Sequence, residues 1–428
     1  MDKNLLWVWL SLSCTPGSQT FKKLIDSFGS VEAIYEANDK QINAAIDPRS
    51  SDRSSLVDKD ITKAKRVLEF CTQKRVGIVS YGDDAYPNAL RTIPNPPVLL
   101  YYRGKLPDFN NSISIGVVGT RSISPYGRKC AYELSYDLAK AGAIVVSGMA
   151  LGIDGVAHTG AITAEKPTVA VLGCGINICY PNEHLGLARE IVKLGCVITE
   201  YPPDTRPAKF NFPCRNRIIS GISQGLLLVE GGERSGALIT ARCAKEQSRR
   251  VYAVPGNVGS KNSEASNLLL KSGAKLTTSA EDIICDFETP GKPLLNRFNL
   301  EKVRPNINVA MRNSGVSALT ADDYSFAPPT MQPRAPITSE PARVQSEPTP
   351  PSPPLNDASQ ENSSSEFTFD KIALKVYKRI PEGVECSFES LSGDGITVAD
   401  VATAVLKLQV GGFVTVYPGD TVSRKFKS

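Results

Sequence analysis

The chain has 428 residues, 41% hydrophobic and 22% charged, a composition that excludes a wholly disordered polymer and supplies apolar material for roughly two or three domains. Its net charge of +5 permits a polyanionic partner without demanding one, so any case for nucleic acid rests on where the cations sit. The ten cysteines form no CxxC pair, and His158 and His184 have no Cys or His at ligand spacing; a disulfide framework and a zinc site are set aside, and a reducing cytoplasm is expected.

The apolar run Leu5 to Leu12 reads as a buried first helix, because no small-residue cleavage pattern follows it. No run is long enough to span a bilayer, so a soluble protein without a membrane partner is expected. Residues 1–75 form a helical module: Phe21, Leu24, Ile25 and Phe28 share one face, Val31, Ile34 and Tyr35 another, and Gly29-Ser30 breaks the two helices. Residues 76–112 are an irregular, proline-rich connecting segment that ends in the apolar strand Val98 to Tyr102.

From residue 113 short apolar runs alternate with helical stretches, the pattern of βαβ units around a sheet buried on both faces. Strands are predicted at 113–118, 143–147, 168–172, 196–200, 225–229 and 250–254. Helices are predicted near 126–141, 153–164, 183–194, 213–222, 236–248 and 262–272. The fold class is therefore α/β: a Rossmann-like, doubly wound and mostly parallel sheet over residues 113–285.

Residues 286–366 are expected to be a disordered linker. No aromatic residue occurs between Ala327 and Glu366, and ten prolines crowd positions 328 to 354. Residues 367–428 resume a small domain: helices over 370–380 and 398–409, a short 388–391, and a hairpin from Phe413–Tyr417 through Pro418-Gly419-Asp420 to Thr421–Ser423. Three helices and a hairpin suggest a winged helix.

Ligands of open parallel sheets bind at the carboxyl ends of the strands, so the loops there carry the argument. The first strand is followed by Gly119-Thr120-Arg121-Ser122, the second begins Ser147-Gly148 and runs to Gly152 and Asp154, and the third is followed by Gly173-Cys174-Gly175. The fifth gives Glu230-Gly231-Gly232-Glu233-Arg234-Ser235-Gly236. Glycines admit an anion to the backbone amides and hydroxyls add donors, so four such loops on one edge point to phosphate binding.

Known nucleotide motifs are broken: GVVGTR is not GxGxxG, and Gly231 to Gly236 lacks the Lys and Ser or Thr of a P-loop. Cofactor redox chemistry and ATP hydrolysis are disfavoured, no cofactor is expected, and no nucleophile with its base can be assembled from these loops. The segment Arg206 to Arg217, RPAKFNFPCRNR, interleaves four cations with Phe210 and Phe212, as suits an unpaired strand whose phosphates meet cations while its bases stack. Arg215 and Arg217 lie two apart on a helix, so one is expected to reach the ligand and the other to brace an acid such as Glu230. His158 is expected to be structural, and Asp154 to brace its own loop.

The strings GTRSISPYG, SGMALGIDGVAH, VLGCGINICYP, ITEYPP, FPCRNRIISG, SGALITA and VYAVPG, in this order, resemble the DNA-processing protein A family, also called Smf, from about residue 5 to 285. The resemblance implies a non-enzymatic protein that binds single-stranded DNA, commonly as a homodimer, and hands it to the RecA recombinase in natural transformation. Matching motif positions are Gly119 and Arg121, then Ser147, Gly148, Gly152 and Asp154, then Lys209, Phe212, Arg215 and Arg217, then Ser235 and Gly236. DNA contact is expected first of Arg121, Lys209 and Phe212.

Two departures from that family stand out. Pro16-Gly17-Ser18 lacks the second glycine that a helix-hairpin-helix favours, and the candidate recognition helix of the carboxyl-terminal module has Lys407 as its only cation, which favours protein contact or regulation over base reading. The rival reading is a Rossmann-like nucleoside monophosphate hydrolase with a PGGxGTxxE motif; here GGERSGALITA lacks its Glu. A further rival, a scaffold reading duplex DNA through the winged helix, is opposed by that module's poor positive charge.

Overall fold

The computed structural model describes residues 3–47, 49–289, 292–293, 295–296, 300, 304–314, 371–380, 386–393, 397–410, 414–417 and 421–424. The chain divides into two compact units, Met1–Ala335 and Pro336–Ser428.

The first unit opens with α1 (Lys3–Ser13), α2 (Thr20–Phe28), α3 (Val31–Glu36), α4 (Asp39–Ala45), α5 (Arg53–Asp58) and α6 (Thr62–Gln73). Leu5 to Leu10 are all buried, which is why α1 is apolar on every face. Ser30 caps α3, and Asn38 with Gln41 closes a reciprocal capping box on α4. These helices do not close a core of their own: Trp7, Leu24 and Ile42 belong to one apolar cluster with Ile176, Leu187 and Val197 from the α/β body.

That body is built on β1 (Gly77–Ser80), α7 (Asn88–Arg91), β2 (Leu99–Gly104), β3 (Ser114–Val118), α8 (Pro125–Lys140), β4 (Ile144–Ser147), α9 (Ile153–Thr163), β5 (Thr168–Val171), α10 (Leu185–Leu194) and β6 (Cys196–Thr199). It continues through α11 (Asn211–Ile222), β7 (Gly225–Leu228), α12 (Gly236–Glu246), β8 (Arg250–Ala253), α13 (Glu264–Lys271), β9 (Lys275–Leu276) and α14 (Glu281–Ile284). The predicted strands are β3 to β8, and the Rossmann-like reading holds. The sheet is nonetheless wider than expected, with nine strands in the order β1-β2-β6-β5-β4-β3-β7-β8-β9. Residues 76–112, expected to connect, supply two antiparallel strands: β1 pairs with β2, and β2 with β6. Pro94, Pro96 and Pro97 precede β2, so its Leu99 to Gly104 amides remain free to pair.

All pairings from β6 to β9 are parallel, and every residue of β3 to β7 is buried, as two-sided helical cover requires. From β3 the chain winds outward through β4, β5 and β6, then returns to lay β7 against the other side of β3. The switch point, where a crevice opens at the carboxyl ends, therefore lies between β3 and β7.

Beyond the small hairpin of β10 (Glu288–Thr289) and β11 (Lys292–Pro293), part of the expected linker is folded. Helix α15 (Ile307–Asn313) buries Ala310, and Arg304 forms two bonds to the Asp137 carboxylate of α8, one of 2.8 Å. The apolar face of Ile307, Ala310 and Met311 explains the correction, since it joins the core around α8 and α9. Linker residues 315–366 lie outside the described residues.

The second unit contains α16 (Lys371–Arg379), β12 (Cys386–Ser387), α17 (Phe388–Leu391), α18 (Val398–Val410), β13 (Val414–Tyr417) and β14 (Thr421–Arg424). Its three-stranded sheet, ordered β12-β14-β13, adds one short strand to the expected hairpin. Val376, Leu391, Val405 and Val422 form its core. The turn at residues 418–420 lies outside the described residues.

Candidate nucleic-acid interface

A cleft of about 620 Å³ opens at the carboxyl edge of the sheet beside the switch point. Its first wall is the loop after β3, with Gly119, Thr120 and Arg121; its second is the start of α11, with Phe212, Arg215 and Asn216; its third is the start of α12, with Ser235 and Gly236.

Helix α11 is pinned over the end of β5. Asn211 Nδ2 donates to the Gly173 carbonyl at 3.0 Å, and Arg215 Nη1 donates to the Val171 carbonyl. That placement sets the half-buried Phe212 ring 5.5 Å from the ring of Tyr180, which rises from the loop after β5. The guanidinium of Arg121 lies over the Phe212 ring, 5.7 Å from its centroid. Lys209 stands exposed at the rim. Cation, ring and ring are thus adjacent at the mouth of an open cleft, with the exposed Tyr180 ring accessible to a flat, unpaired group.

Beneath these residues the loop after β4 is braced internally. Asp154 accepts from the Gly148 amide at 3.2 Å and the Ala150 amide at 3.3 Å, as expected of a loop-bracing carboxylate. Burial pushes its pKa up, while Arg215 and these amides oppose the rise. Burial likewise pulls the Arg215 guanidinium below its ordinary value, opposed by Asp154. Gly148 is required here, because a Cβ would stand 2.0 Å from Arg215 Nη1.

The predicted residues therefore separate. Gly119, Arg121, Lys209, Phe212, Arg215, Ser235 and Gly236 line the cleft. Ser147 is completely buried and its hydroxyl donates to the Val117 carbonyl at 2.6 Å, so it holds two strands rather than a ligand. Gly148 supports Arg215, and Gly152 precedes α9 behind the first loop, where the Ile153 amide donates to the Thr120 carbonyl at 3.1 Å. Arg217 points away from the cleft and forms a buried ion pair with Glu200, not Glu230. Burial works against its charge, but Glu200, with Cys214 and Tyr86, holds the guanidinium above its ordinary value. The helical offset anticipated in the sequence is thus real, with its acidic partner supplied by the end of β6.

His158 is structural: fully buried, its Nδ1 lies 2.7 Å from Thr168 Oγ1, and burial pushes its pKa down to about 3. Tyr180 and Asn216 were missed in the sequence. Tyr180 sits inside GINICYP, and an aromatic residue in a loop after a central strand was the signal available. Among the described residues no group of three or more His, Cys, Asp or Glu is placed to hold a metal ion, and no helix is long and apolar enough to cross a membrane.

Fold and cleft together define a Rossmann-like α/β protein whose candidate site lies at the topological switch of its sheet. The model of the DNA recombination-mediator protein A family matches residues 77–288. The DNA processing protein DprA of Bacillus subtilis is 39% identical over 221 residues, 52% of this chain and 74% of that protein. Protein Smf of Synechocystis is 30% identical over 364 residues, 84% of this chain and 82% of that one. The X-ray structure of DNA processing protein A from Streptococcus pneumoniae matches with a TM-score of 0.60 at 31% identity, over 68% of this chain and 99% of that one. The chain belongs to the DNA recombination-mediator protein A family.

Proposed function

We propose that the cleft grips single-stranded DNA and leaves its bonds uncut, and that the protein shields incoming strands and passes them to the RecA recombinase, as a cytoplasmic homodimer, in transformation or recombination. The observation that carries the reading is the sequence Arg121, Phe212, Tyr180 across one open rim, with Lys209 beside it. A ring face gains from an unpaired base, on the order of 1 to 3 kcal/mol each, whereas a duplex keeps its bases stacked on one another. Lys209 and Arg121 supply the charge that phosphates need, and Ser147, Gly148, Gly152, Arg215 and Arg217 hold the loops that present it.

The hydrolase alternative needs a carboxylate early in the helix after β7. That turn of α12 offers Ala237, Leu238 and Ile239, and Asp154 is occupied by backbone amides. The second unit, read as a winged helix, serves protein contact or regulation in this account.

The test presents labelled single strand, duplex and mononucleotide to the purified protein and recovers the strand afterwards. Preference for the single strand, recovered at full length, is expected. Equal affinity for duplex, or steady release of base or phosphate from a nucleotide, would reject the proposal.

A further inference from the structure

The geometry points to a second stretch of the same binding surface: a groove between the start of α8 and α15 that carries the strand onward after it leaves the cleft past Arg121. This inference rests on the single-strand reading of the cleft.

The groove holds about 320 Å³ and is lined by Ile123, Ser124, Pro125, Arg128, Lys129 and Ile307. Its first lining residue, Ile123, follows Arg121 with Ser122 alone between them, so the two sites adjoin along the chain. Its lining combines the apolar Ile123, Pro125 and Ile307 with two cations. That combination suits a nucleotide unit, whose sugar and base cover apolar surface while its phosphate meets Lys or Arg.

Arg128 and Lys129 stand near the beginning of α8, whose first turn has no acidic residue of its own. Neither side chain has a hydrogen-bond or ion-pair partner among the described residues. The Glu230 carboxylate takes the amide and hydroxyl of the Ser124 cap, so the two cations beyond it are left to meet an external phosphate.

The far wall is firm. Arg304 binds the Asp137 carboxylate, Tyr132 donates to the Pro305 carbonyl at 3.1 Å, and Ser314 Oγ lies 3.2 Å from Thr159 Oγ1. This wall lies beyond residues 77–288, the span shared with the family model, whereas Ile123 to Lys129 lie within it.

The experiment uses the full chain and labelled oligo-dT of two lengths, about 6 and about 16 nucleotides, the range over which single-strand sites vary. With urea unfolding measured beside binding to separate a folding defect from a lost contact, the double variant Arg128→Glu with Lys129→Glu reverses both charges. It is expected to bind the longer strand at least about tenfold more weakly and to lower the salt slope by about 1.4, two contacts at roughly 0.7 each. The shorter strand should bind as it does to the parent.

Unchanged affinity and slope for the longer strand would overturn the groove. Equal loss for both lengths would overturn it too, by assigning both cations to the cleft itself. A parent that binds neither length defeats the cleft reading instead, and the two failures are thereby distinguished. The variant Arg128→Gln with Lys129→Gln, which removes charge without reversing it, should fall between parent and double reversal.

Discussion

The side-chain carboxylate of Glu230 accepts hydrogen bonds from both the backbone amide and the hydroxyl of Ser124, the residue that caps α8. Ser124 Oγ in turn accepts from the Gly127 amide at 3.0 Å, and a Cβ at position 127 would stand 2.1 Å from Glu230 Oε2. The helix start where a doubly wound protein would receive a nucleotide phosphate is thus filled by the chain's own carboxylate. An external polyanion is left the neighbouring rim, where Arg121 and Lys209 stand.

Replacing Glu230 by Gln should therefore act on stability rather than on binding. A weakened cap with one acceptor lost costs about 1 to 2 kcal/mol, read as a lower urea midpoint, while single-strand affinity stays within about threefold. Loss of binding at unchanged stability would show that Glu230 faces the ligand.

Arg121 is exposed and makes no backbone bond that folding requires, so Arg121→Ala should melt with the parent yet bind a single strand about tenfold more weakly. Phe212→Ala should lose about 1 to 3 kcal/mol of binding, and Tyr180→Ala combined with it should cost less than the sum, because the two rings share one contact. Strict additivity would separate the rings functionally.

The Arg217 and Glu200 side chains are each 5% exposed, and breaking such a pair leaves a charge without its partner. Arg217→Met is expected to destabilise the first unit by about 3 to 5 kcal/mol. Both tryptophans, Trp7 and Trp9, lie in α1 of that unit, so their fluorescence reports the transition. A variant as stable as the parent would mean the pair contributes nothing.

His158 gives the pH dependence a sign. Its folded pKa of about 3 lies below the ordinary 6.5, so the unfolded chain takes up a proton that the folded state resists. This contribution to stability is present above about pH 6.5 and is lost progressively as pH falls toward 3. Between pH 7 and pH 5 the parent should lose about 2 kcal/mol more than His158→Asn, measured by urea unfolding at each pH. Parallel losses in the two proteins would assign the acid limb to other groups.

A chain ending at Ala335 retains the first unit with α15 and should bind a single strand within about twofold of the full chain. Abolished binding would move the site to the second unit.

Much of this was legible in the sequence because periodicity is a local property. The runs that became β3 to β7 are mostly apolar and buried along their length, as burial on both faces demands, and the glycine-rich loops fall where the strands end. What depends on distant partners was not legible. β2 was read as an apolar strand, but β1 looks irregular until β2 offers it an edge, and Ile307, Ala310 and Met311 mean little without the surface of α8 and α9. For the same reason the sequence offered Glu230 as an example of the acid that one of Arg215 and Arg217 would brace, whereas the packing of α11 over β5 gives Arg217 to Glu200. Ser147 shows the limit of reading hydroxyls as ligand donors, since its own fold takes the bond.

The most direct test is photocrosslinking of a bromodeoxyuridine-substituted single strand to the full protein, with the modified residues located by mass spectrometry. Adducts at Phe212 and Tyr180, competed by unlabelled single strand and not by duplex, are the expected result. Adducts confined to residues 371–424, or none at saturating strand, would contradict the account.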